Sequence, residues 1–158
     1  MSERHLVVIP HTHWDREWYM PFERFRKRLV SMVDHLLDVL EEDSSFTCFE
    51  LDGQTILLDD YLDIRPENGS RLTKLIRQGR IIIGPWYVQP DEFLVTGESI
   101  VRNLRLGIRS AKKYGKTSLI GYLPDQFGHI SQMPQILANF GIRSAVVWRG
   151  VGNTVQET

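Results

Sequence analysis

His11, His13 and Asp15 occupy alternate positions in Pro10-His-Thr-His-Trp-Asp15. On an extended chain alternate side chains share one face, so two imidazoles and a carboxylate would converge there as half of a zinc site. Asp125, at the end of Gly121-Tyr-Leu-Pro-Asp125, would complete a three-ligand catalytic site with an open position. An oxygen-rich set with one or two histidines also suits manganese or cobalt. The plainer alternative is a solvated His-x-His whose rings cap backbone groups or titrate in water. Asp91 and Glu92 are adjacent carboxylates that could split their pKa values as an acid/base pair. Neighbours on an extended chain point to opposite faces, so either could instead cap the following helix. Trp14, Trp18, Trp86, Tyr87 and Trp148 lie beside these polar groups. Aromatic faces next to carboxylates suit a sugar ring, although packing at the end of a sheet is the stronger expectation for Trp18. His129 reads as a backbone-bonded structural histidine, and Asp52 as a turn residue before Gly53.

These residues need elements to hold them. Leu6–Pro10 has the short apolar run of a buried strand. From Pro21 to Glu42 the apolar residues recur at three-and-four spacing, which predicts an amphipathic helix. Phe46–Leu51 reads as a second strand, followed by short helices over Gln54–Leu62 and Gly69–Gln78. Arg80–Ile83 is a third strand and Glu98–Tyr114 a helix with charges suited to its dipole. Strands over Ser118–Leu123 and Ser144–Trp148 flank a helix near Gln132–Phe140. Strand–helix alternation with short connections implies an α/β fold with a parallel sheet. In such folds ligands bind at the carboxyl ends of the strands, where the polar residues above fall.

The full sequence has 158 residues, 42% hydrophobic and 25% charged, with a formal net charge of -1. That size suits one domain. The near-neutral balance removes the electrostatic footprint of a general nucleic-acid binder, and no apolar run approaches the roughly 20 residues of a membrane span. Cys48 is the single cysteine, which excludes an internal disulfide and a cysteine zinc cluster. With no signal-peptide pattern at Met1-Ser-Glu-Arg-His5, a cytoplasmic location is expected. Residues 1–150 are expected to form the structured part and 151–158 a polar tail.

Several segments resemble a known family: Pro10-His-Thr-His-Trp-Asp-Arg-Glu-Trp18, Leu51-Asp-Gly-Gln54, Gly84-Pro-Trp-Tyr87 with Pro90-Asp-Glu92, Glu98–Leu104, and Gly121–His129 with Met133-Pro134. In order and spacing they are similar to the amino-terminal part of family 38 glycoside hydrolases, the zinc-dependent retaining α-mannosidases. The first segment looks most like the bacterial branch, which includes mannosylglycerate hydrolases. The resemblance implies zinc ligands at His13, Asp15 and Asp125, with Asp125 also the catalytic nucleophile. It implies that His11 is not a ligand, and that Trp14, Trp86 and Asp91 lie beside the sugar subsite.

The fold implied by this resemblance is the first part of a (β/α)7-type barrel, incomplete in this chain. The general acid/base and one further zinc-ligand histidine would lie outside it. The implied substrate is a mannoside, either a glycan or a mannosylglycerate-like compound, and the bacterial branch suggests a homo-oligomer. A fragment of this kind would have little turnover alone, and its unpaired strand edge would favour self-association. A metal-dependent polysaccharide deacetylase and a non-catalytic sugar- or metal-binding module are the competing readings.

Overall fold

Helix α1 (Phe22–Glu42) realises the clearest periodicity in the sequence, burying Phe25, Leu29, Val30, Val33, Leu36, Leu37 and Leu40 along one stripe. The structure, a computed structural model, describes residues 4–152. Of the polar stretch 151–158, residues 153–158 lie outside the described residues. After α1 come β2 (Phe49–Leu51), α2 (Ile56–Leu62), a 3₁₀ turn (Pro66–Asn68), α3 (Gly69–Arg77) and β3 (Ile81–Ile82). Beyond β3 lie α4 (Gly97–Tyr114), β4 (Ile120–Leu123), α5 (Met133–Asn139) and β5 (Ser144–Val147), while β1 (His11–Thr12) precedes α1. The α/β class with parallel strands is therefore as expected.

The strands form two parallel sheets, β1-β2-β3 and β4-β5, rather than one continuous ladder. A backbone bond from Ser118 N to the Ile83 carbonyl (2.8 Å) links the segments that flank the gap. Two apolar clusters match this division. The larger joins α1, α2 and α3 to β2 and β3, and the smaller gathers Trp86, Leu104, Leu123, Leu137 and Ile142.

The expected first strand is displaced. Leu6–Ile9 carry exposed side chains, and pairing begins at His11, opposite Glu50. That register would set Ile9 against Cys48, which precedes β2. Phe46–Cys48 fail to extend β2 for a specific reason: the Arg80 guanidinium takes the carbonyls of Phe46 (2.7 Å) and Thr47 (2.8 Å). The other elements lie within two residues of their expected limits.

Helix α4 fixes the segment after β3. A Cβ on Gly107 would lie 2.2 Å from the Trp86 carbonyl carbon, so only glycine lets the helix approach this closely. Asn103 accepts from Tyr87 N (2.8 Å) and Val88 N (3.2 Å) and donates to the Val88 carbonyl (2.6 Å). Thr96 caps this helix by accepting from Ser99 N, so neither Asp91 nor Glu92 has that task.

Candidate active site at the strand ends

His13 comes directly after β1 and is a hub. Its Nε2 lies 3.6 Å from Asp15 Oδ1 and 3.5 Å from Asp125 Oδ2, with Asp125 coming from the end of β4. These separations are long for hydrogen bonds. Atoms bound to one tetrahedral zinc at about 2.0–2.2 Å would stand about 3.3–3.6 Å apart, so both pairs have the spacing of co-ligands. Among the described residues no group of three or more His, Cys, Asp or Glu side chains is arranged to hold a metal ion; the donor set is an imidazole facing two carboxylates. By donor type alone, nitrogen with carboxylate oxygen, it is a set that zinc accepts.

The other face of the His13 ring is fastened. Nδ1 stands 3.1 Å from Oδ1 of Asp52, a carboxylate with no solvent exposure. Asp52 Oδ2 accepts from Trp14 N (2.8 Å) and Gln54 Nε2 (2.6 Å). The hydrogen bond to Asp52 raises the His13 pKa above its ordinary value, against the effect of burial. Burial pushes Asp52 upward too, opposed by its donors. With both Oδ2 donors supplied by N–H groups, the geometry serves the ionised form of Asp52.

Glutamines lace the strand ends together. Gln54 Oε1 accepts from Gln89 N (3.2 Å), and Gln89 Nε2 donates to the carbonyls of Asp52 (2.7 Å) and Tyr122 (3.1 Å). Gln126 donates onward to Gln89 Oε1 (3.2 Å) and the Pro90 carbonyl (2.8 Å). Arg16 ties the loop after β1 to α2 through a forked pair with Asp60 at 2.6 and 2.8 Å.

Asp125 is held differently. Arg149 Nη2 meets its Oδ1 at 2.7 Å, and Arg149 Nε donates to its backbone carbonyl at 3.0 Å. The Arg149 carbonyl in turn lies 2.9 Å from His129 Nε2, whose Nδ1 faces buried Glu92 at 2.8 Å. Glu92 also accepts from Ile130 N (2.8 Å). His129 is thus bonded to backbone on one side, and Glu92 is neither solvent-facing nor a helix cap.

Of the residues singled out from sequence, His13, Asp15 and Asp125 come together. Asp91 sits exposed in a turn closed by Leu94 N on its carbonyl. Trp86 is completely buried and donates from Nε1 to the Tyr122 carbonyl (3.0 Å), while Trp14 packs edge-on to Phe25. Trp18, expected in the core, is 75% exposed because it stacks only on Tyr19 at the surface. His11 does not join the hub; its Nδ1 meets Tyr122 OH at 2.7 Å. Trp148, 85% exposed, lines a cavity of about 480 Å³ with His11, His13, Tyr122, Asp125 and Val146.

Sequence reasoning missed Asp52, Tyr122 and the glutamines. Asp52 carried one usable signal, its place at a strand end in line with the other carboxylates. Gln126 lay inside the Gly121–His129 motif beside Asp125, whereas Gln89 carried no such signal.

The family model for the "Glycosyl hydrolases family 38 N-terminal domain" matches residues 3–157. The chain belongs to glycosyl hydrolase family 38. Over 148 residues it is 51% identical to a Halalkalibacterium halodurans protein named "Putative mannosylglycerate hydrolase", covering 93% of this chain and 16% of the relative. It is 30% identical over 139 residues to the α-mannosidase of Saccharomyces cerevisiae, covering 85% of this chain and 12% of that one. The crystal structure of an α-mannosidase from Enterococcus faecalis V583 superposes with a TM-score of 0.87 at 44% identity, covering 88% of this chain and 16% of that one. The chain thus spans between 12% and 16% of the length of these family 38 relatives, which carry the names of glycosidases. Membership sets aside the deacetylase reading. No helix among the described residues is long and apolar enough to cross a membrane.

Proposed function

We propose that this chain is the amino-terminal part of a zinc-dependent retaining α-mannosidase and contributes its nucleophile and three zinc ligands. The observation that carries this reading is the convergence of Asp15 Oδ1 and Asp125 Oδ2 on His13 Nε2 at 3.6 and 3.5 Å. His13, Asp15 and Asp125 would hold the metal, with one further histidine from outside the chain. When bound, zinc supplies Lewis-acid and template chemistry at adjacent sugar hydroxyls.

The chain's own residues account for the rest of its share. A carboxylate oxygen of Asp125 forms a bond to the anomeric carbon as the bond to the aglycone oxygen breaks. The leaving oxygen takes its proton from a general acid outside this chain. Water then bonds to the anomeric carbon, giving its proton to the same outside group now acting as base, while the bond to the Asp125 oxygen breaks and frees the carboxylate, so two inversions give net retention. Arg149, on Asp125 Oδ1, fixes the rotation of the nucleophile. The exposed Trp148 offers an apolar face beside the cavity for a sugar ring.

The consecutive order of parallel strands supports a (β/α) barrel that other segments would complete. A glycan or a mannosylglycerate-like mannoside is the substrate class we favour, given the named relatives. The free Cys48 fits a cytoplasmic setting, and a homo-oligomer is carried over from the bacterial branch.

Elemental analysis of the purified chain, beside His13→Ala and Asp125→Ala, tests the site. Near-stoichiometric zinc that is lost in both variants supports it, and zinc retained in both overturns it. Turnover of an aryl α-mannoside by this chain alone should fall short by roughly 10²–10⁴ for the missing general acid. Full activity would overturn the division of the site. In the full-length protein a 2-fluoro-mannosyl donor should label Asp125; labelling elsewhere would remove its nucleophile role.

A further inference from the structure

We infer that Asp52 is a positioning residue that sets the tautomer of His13, so that the Nε2 lone pair points at the space shared with Asp15 and Asp125. The inference rests on the metal reading above for its purpose, but not for its geometry. Asp52 Oδ2 is committed to two N–H donors, Trp14 N and Gln54 Nε2. Its Oδ1 is left facing His13 Nδ1 at 3.1 Å. A carboxylate in that position accepts, so Nδ1 carries the hydrogen, and a neutral imidazole then has a bare Nε2. That nitrogen confronts two carboxylate oxygens beyond hydrogen-bond length. With the ring neutral, three electron-rich atoms converge on one space and repel one another until a proton or a metal cation joins them, and a ligating histidine whose second nitrogen is held by a carboxylate is the common arrangement around metals.

Asp52 is itself over-determined. Its backbone adopts φ +50, the left-handed region that Asp and Asn tolerate best among residues with a side chain. Gln89 Nε2 holds its carbonyl at 2.7 Å, and the side chain is completely buried. Three strand ends therefore agree on where this carboxylate sits. Asp52 does form a turn with Gly53, as the sequence predicts, and these contacts go beyond what the turn requires.

The substitution that separates these roles is Asp52→Asn. Asparagine keeps the shape and tolerates the same backbone. With the amide oxygen retained by Trp14 N and Gln54, the NH2 group faces His13 Nδ1 and donates to it. The ring must then carry its hydrogen on Nε2, and the ligating lone pair is lost. Nitrogen-detected NMR of the metal-free protein with labelled histidine, at a pH where the ring is neutral, reads this directly. Wild type should have Nδ1 protonated and Nε2 bare, and Asp52→Asn should invert the pattern. Zinc affinity, measured by competition with a chromophoric chelator, should fall about 10–100-fold in the variant.

A wild-type ring protonated on Nε2 overturns the inference, as does an Asp52→Asn protein with unchanged tautomer and zinc affinity. The wild-type spectrum decides the tautomer even if the variant fails to fold. The expected tautomer in a protein that takes up no zinc would leave Asp52 as assigned and sink the metal reading instead.

Discussion

The two halves of the site are built to different standards. His13 stands on the β1-β2-β3 sheet, its ring fixed by a wholly buried carboxylate beneath which α1, α2 and α3 close the larger apolar cluster. Asp125 stands on the β4-β5 sheet with its side chain 49% exposed, gripped by an equally exposed Arg149. Every residue of β5 is exposed, whereas β2 ends in the buried Leu51. The first half is therefore held by tertiary packing around the larger apolar cluster. The second is held by polar contacts among loops, with Glu92 and His129 as their anchor. A site divided this way has a buried, packed support under His13 and a half-exposed ion pair under Asp125.

The two apolar clusters should respond differently to truncation. Leu37→Ala, in the larger cluster with no exposure, should cost about 2–5 kcal/mol. Leu137→Ala, beside an open groove lined by α5 and β5, should cost clearly less, because one side of that residue has little packing to lose. Urea melts of the two variants check this, and equal losses would erase the proposed difference.

The edge of β5 gives the next contrast. Its exposed Val146 and Val147 should drive self-association of the chain, and Val146→Lys should shift sedimentation toward monomer. An unchanged profile would show that this edge is not the sticky one.

The two arginines sharpen the same point. Arg16→Ala strands Asp60, whose side chain is nearly buried, and should cost about 1–3 kcal/mol in thermal or urea unfolding. Arg149→Ala removes a half-exposed pair and should cost within about 0–1 kcal/mol. A large stability loss at Arg149 would mean that the second half is more tightly built than its exposure implies.

Stability of the first half should also depend on pH. Burial pushes the Glu50 carboxyl up from 4.5 to about 8. The folded protein therefore holds a proton that the unfolded chain releases, and this contribution to stability is lost as pH rises between those values. Glu50→Gln keeps the acceptor for Gly53 N while removing the titration. It should raise Tm at pH 8 by a few degrees and leave it nearly unchanged at pH 4. A variant that melts lower at pH 8 would contradict the sign.

Much of this site is legible in the chain itself. The spacing of His13 and Asp15 and the position of Asp125 at a strand end single these residues out and the long family motifs carry the rest, although the strand stops at Thr12 and His11, expected on the same face, meets Tyr122 OH instead. The α1 stripe needs only the three-and-four spacing of its leucines and valines. Strand limits were less legible, because a strand is made by its neighbour. Leu6–Ile9 have the composition of a strand, yet the segment that the register sets opposite them gives the Phe46 and Thr47 carbonyls to Arg80 instead.

The sequence by itself determined the α/β class, the helix faces and the residue types available at each strand end, since these depend on local periodicity and turn chemistry. Tertiary structure alone decided which of those residues meet. Asp52 and His13 are 39 positions apart, and Glu92 and His129 are 37 apart. Their pairing is a product of sheet register and helix packing, which no local pattern encodes. It also decided that Trp86, an apparent sugar platform, is interior and Trp148 is open, because burial depends on what packs above a residue and not on its type.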